Sequence, residues 1–162
     1  MKAVILAAGM GLRIGELTKN IPKAFLTIKG KPLIKYSLDN LANAGVKEVI
    51  IVVGYMESFF KEHLGSNYNG ISIRYIKNEK YSSTNSMYSL SQTEGLIDDD
   101  ILLLESDLVY DCNALMELLK SPYKDVLLVS SLTGSNDAVY VCADKQYNLK
   151  NLGKKINKKN TT

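Results

Sequence analysis

A glycine-containing loop follows the first apolar run of the chain and has the residue types of an anion-binding loop. Residues 7–13 read Ala-Ala-Gly-Met-Gly-Leu-Arg, so Gly9 and Gly11 are separated by one position. Such glycines let the backbone approach a ligand closely and turn several N–H groups toward it. A plain tight turn fits the same spacing, so the loop alone leaves both interpretations open. The dinucleotide fingerprint is excluded because its third glycine would fall at Ile14, and no Gly-Lys-Ser/Thr of a P-loop follows.

Two cations flank this loop and add to its chemistry. Arg13 ends the loop, and Lys23 follows ten residues later in the segment Ile-Pro-Lys-Ala. Backbone N–H donors, a forked guanidinium and a point-charge ammonium close to the transferring phosphorus are the groups that bind a nucleoside triphosphate well. A lone Lys or Arg is more often a solvated surface charge. The combination with the glycine loop therefore favours phosphate binding.

The elements that must position these residues alternate between strand and helix patterns. The predicted strands are Lys2–Ala7, Glu48–Val53, Ile71–Ile76, Asp100–Glu105, Asp125–Ser130 and Ala138–Ala143. The predicted helices are Pro32–Ala44, Met56–Leu64, Asn85–Gln92 and Cys112–Leu119. This alternation is typical of a layered α/β fold with a largely parallel sheet, whose ligands bind at the carboxyl ends of the strands. The loop after Ala7, the segment after Ile76 and Asp107 all fall at such ends.

Composition and charge exclude several classes of protein. The 162 residues are 46% apolar and 23% charged, which is typical of a globular protein and excludes a disordered chain or a collagen-like fibre. We expect neither a membrane span nor a signal peptide. The formal charge is +3, and setting aside the four lysines of the last twelve residues brings it to −1. The basic character therefore belongs to a tail, which argues against nucleic-acid binding.

Cysteine usage points to a reducing compartment. Cys112 and Cys142 lie 30 residues apart without metal-ligand spacing, and His63 is the single histidine. A zinc site and a disulfide scaffold are therefore not expected, and two free thiols in the cytoplasm are the simplest interpretation.

Residues 6–34, LAAGMGLRIGELTKNIPKAFLTIKGKPLI, closely resemble the opening signature of the nucleotidyltransferases, or pyrophosphorylases, which join an NTP to a phosphorylated small molecule. Leu12 departs from the signature, in which Ser or Thr is common. The resemblance implies a Rossmann-like three-layer α/β/α fold with a mixed, mostly parallel sheet. It also implies a nucleotidyltransferase domain over residues 1–153, followed by a basic tail over 154–162. Arg13 and Lys23 would be catalytic. The implied nucleotide contacts here are Leu6, Ala7, Ala8, Gly9, Met10, Gly11 and Arg13.

The segment Lys77–Leu90 narrows the resemblance to cytidylyltransferases. Its sequence, KNEKYSSTNSMYSL, is similar to the segment of enzymes that activate phosphocholine or aminoalkyl-phosphonates. The resemblance places four of its residues near the nucleobase or the acceptor: Tyr81, Thr84, Asn85 and Ser86. Donors and acceptors in a Thr-Asn-Ser run could read the edge of a pyrimidine. An ordinary helix N-cap cluster is the alternative.

A carboxylate after the fourth predicted strand completes the implied site. The resemblance implies that Asp107 is a ligand of Mg²⁺, which prefers oxygen ligands beside phosphate oxygens. Glu105 lies two residues before Asp107, so in an extended chain the two side chains point to the same side. Glu105 is either a carboxylate that supports Asp107 or a buried polar residue with no catalytic role. The run Asp98–Asp100 precedes the strand and is expected to be solvated. Residues 126–155 also resemble phosphonate-associated forms, in which Asp137 matches the Asp of a related strand pair. The resemblance gives Asp137 at most a contact with substrate.

The function implied by the resemblance is transfer of CMP from CTP to phosphocholine or 2-aminoethylphosphonate with release of pyrophosphate. Two alternatives stay open: a sugar-phosphate enzyme using another NTP, and a non-catalytic nucleotide-binding module. The second is motivated by length, because relatives of this type typically continue well past residue 150. A homodimer or fusion to further domains also stays open. A Rossmann oxidoreductase is not expected, since no acidic residue ends the second strand at Val53-Gly54.

Overall fold

The structure, a computed structural model, describes residues 1–131 and 138–156. Asp137 and the last two tail lysines lie outside the described residues. The chain divides into two compact units, residues 1–119 and 120–162. The predicted extent of the nucleotidyltransferase domain to residue 153 stays a prediction.

The first unit is built on a five-stranded sheet. Four longer strands of the sheet are β1 (Lys2–Ala7), β4 (Glu48–Val53), β6 (Ile71–Lys77) and β7 (Ile101–Glu105), and the fifth is the short strand β5 (Asn67–Tyr68). Two further short strands of the unit are β2 (Thr27–Ile28) and β3 (Lys31–Pro32). The helices are α1 (Leu33–Asn43), α2 (Glu57–Leu64), α3 (Ser86–Ser91) and α4 (Cys112–Lys120), with two 3-10 helices at Leu12–Thr18 and Lys23–Phe25. The sheet order is β5-β6-β4-β1-β7, while β2 and β3 form a separate hairpin.

Four neighbouring strands of the sheet run parallel, and only β5 is antiparallel to its neighbour. The inner two of these four parallel strands, β1 and β4, are apolar along almost their whole length because both of their faces are covered. Their predicted bounds are confirmed to the residue. The carboxyl ends of β1, β4, β6 and β7 therefore meet at one edge of the sheet, which confirms the expected position of the loops that follow them.

Apolar side chains pack on both faces of this sheet. On one face, Ile5 and Ile51 pack with buried residues of α1, α2 and α4. On the other, Val4 and Ile50 pack against Leu90 of α3 and the turn that follows it. Helices thus cover both faces, which confirms the predicted three-layer α/β/α arrangement with a mixed, mostly parallel sheet. None of the helices in the described part of the chain has the length and apolar character needed to span a membrane.

The described part of the second unit contains an antiparallel hairpin of β8 (Tyr140–Ala143) and β9 (Leu149–Gly153). β9 was not predicted, and β8 is shorter than the predicted strand 138–143. The turn is closed by Asp144, whose Oδ1 accepts from the backbone N–H groups of Asn148 and Gln146 at 2.9 and 3.0 Å. The bond from the Asn148 N–H, supported by Lys150, lowers the pKa of Asp144 to about 2.

The predicted strand Asp125–Ser130 is wrong. The segment has no regular structure, and the side chains of residues 126–129 are 43–56% exposed. An extended apolar run becomes a strand only when a neighbouring edge pairs with its backbone groups. Within residues 1–131 and 138–156 this run is paired in no sheet.

Candidate active site

A cavity of about 480 Å³ lies at the edge where the parallel strands end. Five parts of the first unit line it: the end of β1 with the loop after it, residues 22–24, Phe60 of α2, the segment from Tyr81 into α3, and the end of β7 with the residues after it. Every residue proposed from the sequence as catalytic, nucleotide-binding or metal-binding lies in this lining. Those residues are Leu6, Ala7, Ala8, Gly9, Met10, Gly11, Arg13, Lys23, Tyr81, Thr84, Asn85, Ser86 and Asp107.

The loop after β1 is hydrogen-bonded to a buried threonine, Thr18. Gly11 has a φ of 67°, in the left-handed region that favours glycine. The hydroxyl of Thr18 lies 3.0 Å from the Gly11 carbonyl oxygen and 3.1 Å from that of Gly15, and its single hydrogen is shared between the two. These contacts tie the loop to the 3-10 helix that follows it. Thr18 was not predicted, since only its contacts in the fold distinguish it from a surface threonine.

Lys23 is placed by an aromatic anchor two residues further along. The ring of Phe25 packs edge-on against Phe59 and Phe60 of α2, with centroids 4.9 and 5.1 Å away. This contact fixes the 3-10 helix Lys23–Phe25 on the apolar core. The half-buried Lys23 ammonium then reaches across the cavity and forms an ion pair with Oδ2 of Asp107, 84 positions away in the sequence.

Asp107 and Glu105 form the acidic side of the cavity. Glu105 is the last residue of β7, and Asp107 follows after the buried Ser106. Burial and the neighbouring Asp107 carboxylate raise the pKa of Glu105, against an opposing effect of Lys23. The lining thus contains two cations, Arg13 and Lys23, and two acids whose formal charges balance them.

These residues fit a divalent cation that arrives with phosphates. In the described part of the chain, no three His, Cys, Asp or Glu side chains cluster in a way that would hold a metal by protein groups alone. Mg²⁺ commonly binds through one or two carboxylates and completes its shell with waters and substrate phosphates. Asp107 offers such a carboxylate, and Glu105 stands beside it. A lining with balanced formal charges also leaves most of a triphosphate's negative charge to be neutralised from outside the protein.

The wall between β6 and α3 carries the polar groups suited to a base or an acceptor. Asn85 is the N-cap of α3, and its Oδ1 accepts from the Tyr88 N–H at 3.1 Å. The capping interpretation of this residue is therefore correct, although Asn85 also lines the cavity. Thr84 and Ser89 present hydroxyls to the same wall.

Comparison with known proteins agrees with this geometry. The model of a family described as nucleotidyl transferase matches residues 2–139, which is most of the chain. The chain belongs to the nucleotidyl transferase family. The resemblance stated from residues 6–34 and 77–90 is thereby confirmed at the level of the family.

Relatives of this chain within the nucleotidyl transferase family act on different nucleotides. It is 35% identical over 130 residues, 80% of its length, to the CMP-5'-(3-aminopropyl)phosphonate synthase of Streptomyces rubellomurinus, covering 21% of that protein. It is 30% identical over 152 residues, 91% of its length, to the UTP–glucose-1-phosphate uridylyltransferase AglF of Haloferax volcanii, covering 61% of it. The solved CTP:phosphocholine cytidylyltransferase of Streptococcus pneumoniae (LicC) is similar with a TM-score of 0.57 and 35% identity. That match covers 65% of this chain and 44% of the solved one. The chain thus spans between about a fifth and three fifths of the length of these relatives.

Gly54, which follows β4, has no room for a side chain next to the site. A Cβ atom built there would lie 2.5 Å from Cβ of Tyr81 and 2.9 Å from the carbonyl oxygen of Ala8. The absence of a side chain lets Tyr81 pack directly on the strand ends beside the glycine loop. This contact was not predicted, because Gly54 and Tyr81 are 27 positions apart in the sequence.

Replacing Gly54 with alanine should therefore both destabilise the chain and weaken nucleotide binding. The overpacked methyl should lower the free energy of unfolding by about 1–3 kcal/mol. Displacement of Tyr81 should raise the dissociation constant for a nucleoside triphosphate by about tenfold, since each 1.4 kcal/mol is a factor of ten. Urea unfolding and calorimetric titration measure the two effects. Gly153→Ala, where a Cβ meets no atom within 4 Å, is the control. Unchanged stability and affinity in Gly54→Ala would contradict the predicted clash.

Proposed function

We propose that this chain carries the nucleotide site of a cytidylyltransferase, which transfers CMP from CTP to a small phosphorylated or phosphonate acceptor and releases pyrophosphate. The observation that supports it most is the meeting of Lys23 and Asp107 in the cavity formed by the glycine loop. CTP is proposed because residues 77–90 resemble the cytidylyltransferase segment and because two of the similar proteins are named for cytidylyl chemistry. The acceptor class in the proposal is phosphocholine or 2-aminoethylphosphonate.

The proposed reaction is a substitution at the α-phosphorus of CTP. An oxygen of the acceptor's phosphate or phosphonate group forms a bond to this phosphorus. The bond from the phosphorus to the oxygen that bridges it to the β-phosphate breaks, and its electron pair leaves with pyrophosphate. The attacking oxygen is already anionic near neutral pH, so the chain needs no general base. Its task is to bring two anions together in line and to stabilise the charge that spreads over the phosphoryl oxygens.

Each group of the lining has a role in this proposal. The backbone N–H groups of Gly9–Arg13 and the Arg13 guanidinium bind the β- and γ-phosphates. Lys23 neutralises the α-phosphate and the incoming acceptor, and Asp107 holds Mg²⁺. When bound, the metal neutralises phosphate charge and orients the phosphoryl oxygens. The wall 81–86 lies against the base or the acceptor.

A uridylyltransferase acting on a sugar phosphate is the second candidate. Its support is the Haloferax volcanii relative, which matches 91% of this chain and is named for UTP and glucose 1-phosphate. A nucleotide-binding module without turnover is the third candidate, and the assay below distinguishes it from the other two. We also propose the cytoplasm as the compartment, because neither Cys112 nor Cys142 forms a disulfide in the described part of the chain.

A pyrophosphate-release assay tests the proposal. The chain is incubated with Mg²⁺ and CTP, UTP, dTTP or GTP, each with phosphocholine, 2-aminoethylphosphonate or glucose 1-phosphate. Release that requires both CTP and one of the amine-bearing acceptors supports the proposal. Release only with UTP and glucose 1-phosphate supports the second candidate. CTP binding by calorimetry without release on any acceptor supports the module.

A further inference from the structure

We propose that Ser89, held by Asn78, is the hydrogen-bond donor through which this site selects cytosine over uracil. The inference rests on the proposed function, because it requires a pyrimidine nucleotide in the cavity. Neither residue was among the site residues predicted from the sequence. Both are buried polar residues at the back of the wall between β6 and α3, with exposed fractions of 1% for Asn78 and 4% for Ser89.

Asn78 joins the whole wall to the end of the sheet. Its backbone N–H donates to the Val53 carbonyl at 2.8 Å, which extends the pairing of β6 with β4 by one residue. Its side-chain Oδ1 accepts from the Lys80 N–H at 2.9 Å. Both hydrogens of its Nδ2 are used, one toward Thr84 Oγ1 and one toward Ser89 Oγ, each at 3.0 Å. Because an amide nitrogen only donates, it fixes both hydroxyls as acceptors on that side.

The hydroxyl groups of Thr84 and Ser89 differ in whether their own hydrogen is donated to a protein acceptor. Thr84 Oγ1 donates to the Lys80 carbonyl at 2.7 Å, so its hydrogen is committed to the backbone. The hydrogen bonds of residues 1–131 and 138–156 include no acceptor for the Ser89 hydroxyl hydrogen. Ser89 lines the cavity and already accepts from Asn78, so its hydrogen is available to a ligand there. Asn78 thereby sets Ser89 as a donor and Thr84 as an acceptor toward the cavity.

A fixed donor distinguishes the two pyrimidines at the N3 position of the ring. Cytosine has a lone pair at N3 and accepts, whereas uracil has an N–H at N3 and would face the Ser89 donor with another donor. In a group buried as deeply as Ser89, an unmatched donor costs the full loss of hydration. We expect this mismatch to separate CTP from UTP by about 10- to 100-fold in affinity.

Calorimetric titration of CTP and UTP with Mg²⁺ and without acceptor tests the inference. Ser89→Ala should raise the dissociation constant for CTP by about tenfold and lower that for UTP, because the donor that uracil leaves unmatched is removed. Ser91→Ala is the matched control, because Ser91 lies on the same helix, is exposed and donates to the Tyr88 carbonyl outside the cavity lining. Asn78→Asp keeps the shape but turns the donor into an acceptor. Ser89 should then donate to residue 78, present its lone pair to the cavity and shift the preference toward UTP.

The outcomes separate this inference from the function on which it rests. An unmodified chain that binds neither CTP nor UTP contradicts both. An unmodified chain that prefers CTP, together with a Ser89→Ala variant that keeps the same CTP-to-UTP ratio, contradicts the role of Ser89 alone. Preference of the unmodified chain for UTP also overturns it. If Asn78→Asp does not fold, Ser89→Ala decides the question by itself, since it removes one oxygen and leaves the other bonds of Asn78 in place.

Discussion

Replacing Lys23 with alanine should reduce the proposed CMP transfer by about 10³-fold or more while leaving the chain folded. The ammonium of Lys23 is the cation that we place between the α-phosphate and the incoming acceptor, where negative charge concentrates during the reaction. A cation in such a position is worth about 10³–10⁵ in turnover in related phosphoryl chemistry. The variant also leaves Asp107 without its ion-pair partner, which adds a repulsive carboxylate close to the phosphates. Single-turnover measurement of pyrophosphate release is the appropriate assay.

Lys19→Ala provides the matched control for this experiment. Lys19 is four residues away, is largely exposed, lies outside the cavity lining and pairs with Glu16 at 3.7 Å. An exposed pair of this kind contributes about 0–1 kcal/mol to stability, so this variant should retain both fold and turnover. Turnover of Lys23→Ala close to that of the unmodified chain would remove Lys23 from the mechanism.

Replacing Asp107 with asparagine should produce effects of opposite sign with and without Mg²⁺. Without the metal, one fewer acid repels the triphosphate and Lys23 loses its counterion, so CTP should bind the variant at least as tightly as the unmodified chain. With the metal, the variant lacks the proposed ligand, so the gain in affinity on adding Mg²⁺ should largely disappear. Turnover with Mg²⁺ should fall by about 10²–10³-fold.

Titration of CTP in the presence of either Mg²⁺ or EDTA measures this reversal. Asp100→Asn is the control, since Asp100 precedes β7 at the opposite end of the strand and is exposed. An Asp107→Asn variant whose CTP affinity rises with Mg²⁺ as much as that of the unmodified chain would show that another group holds the metal.

The buried centre of the sheet was predictable because its signal is local. Lys2–Ala7 and Glu48–Val53 are apolar runs that begin at a charged residue and lead into a glycine, and both occur as predicted. Asp125–Ser130 has the same kind of composition and still forms no strand. Composition reports how well a segment suits a strand, but not whether an edge is available to pair with it.

The site shows the same division between local and distant signals. Residues 7–13 and Lys23 were found because they lie close together in one specific signature, and the cavity brings them together with Asp107. Asn78, Ser89 and Thr18 were missed because each acts through a side-chain hydrogen bond formed only after folding. Gly54 was missed for a related reason, since its requirement comes from Tyr81 on another segment.

The aromatic contact of Phe25 has a consequence for how the sequence can vary. Phe25 holds the segment of Lys23, and Phe60 both packs on Phe25 and lines the cavity. A random-mutagenesis screen for lost activity should therefore recover substitutions at these two rings alongside the charged positions, although neither ring carries a reactive group. The tolerance of a position to mutation should therefore depend on its distance from the Phe25 and Phe60 rings as strongly as on its distance from the phosphate-binding groups.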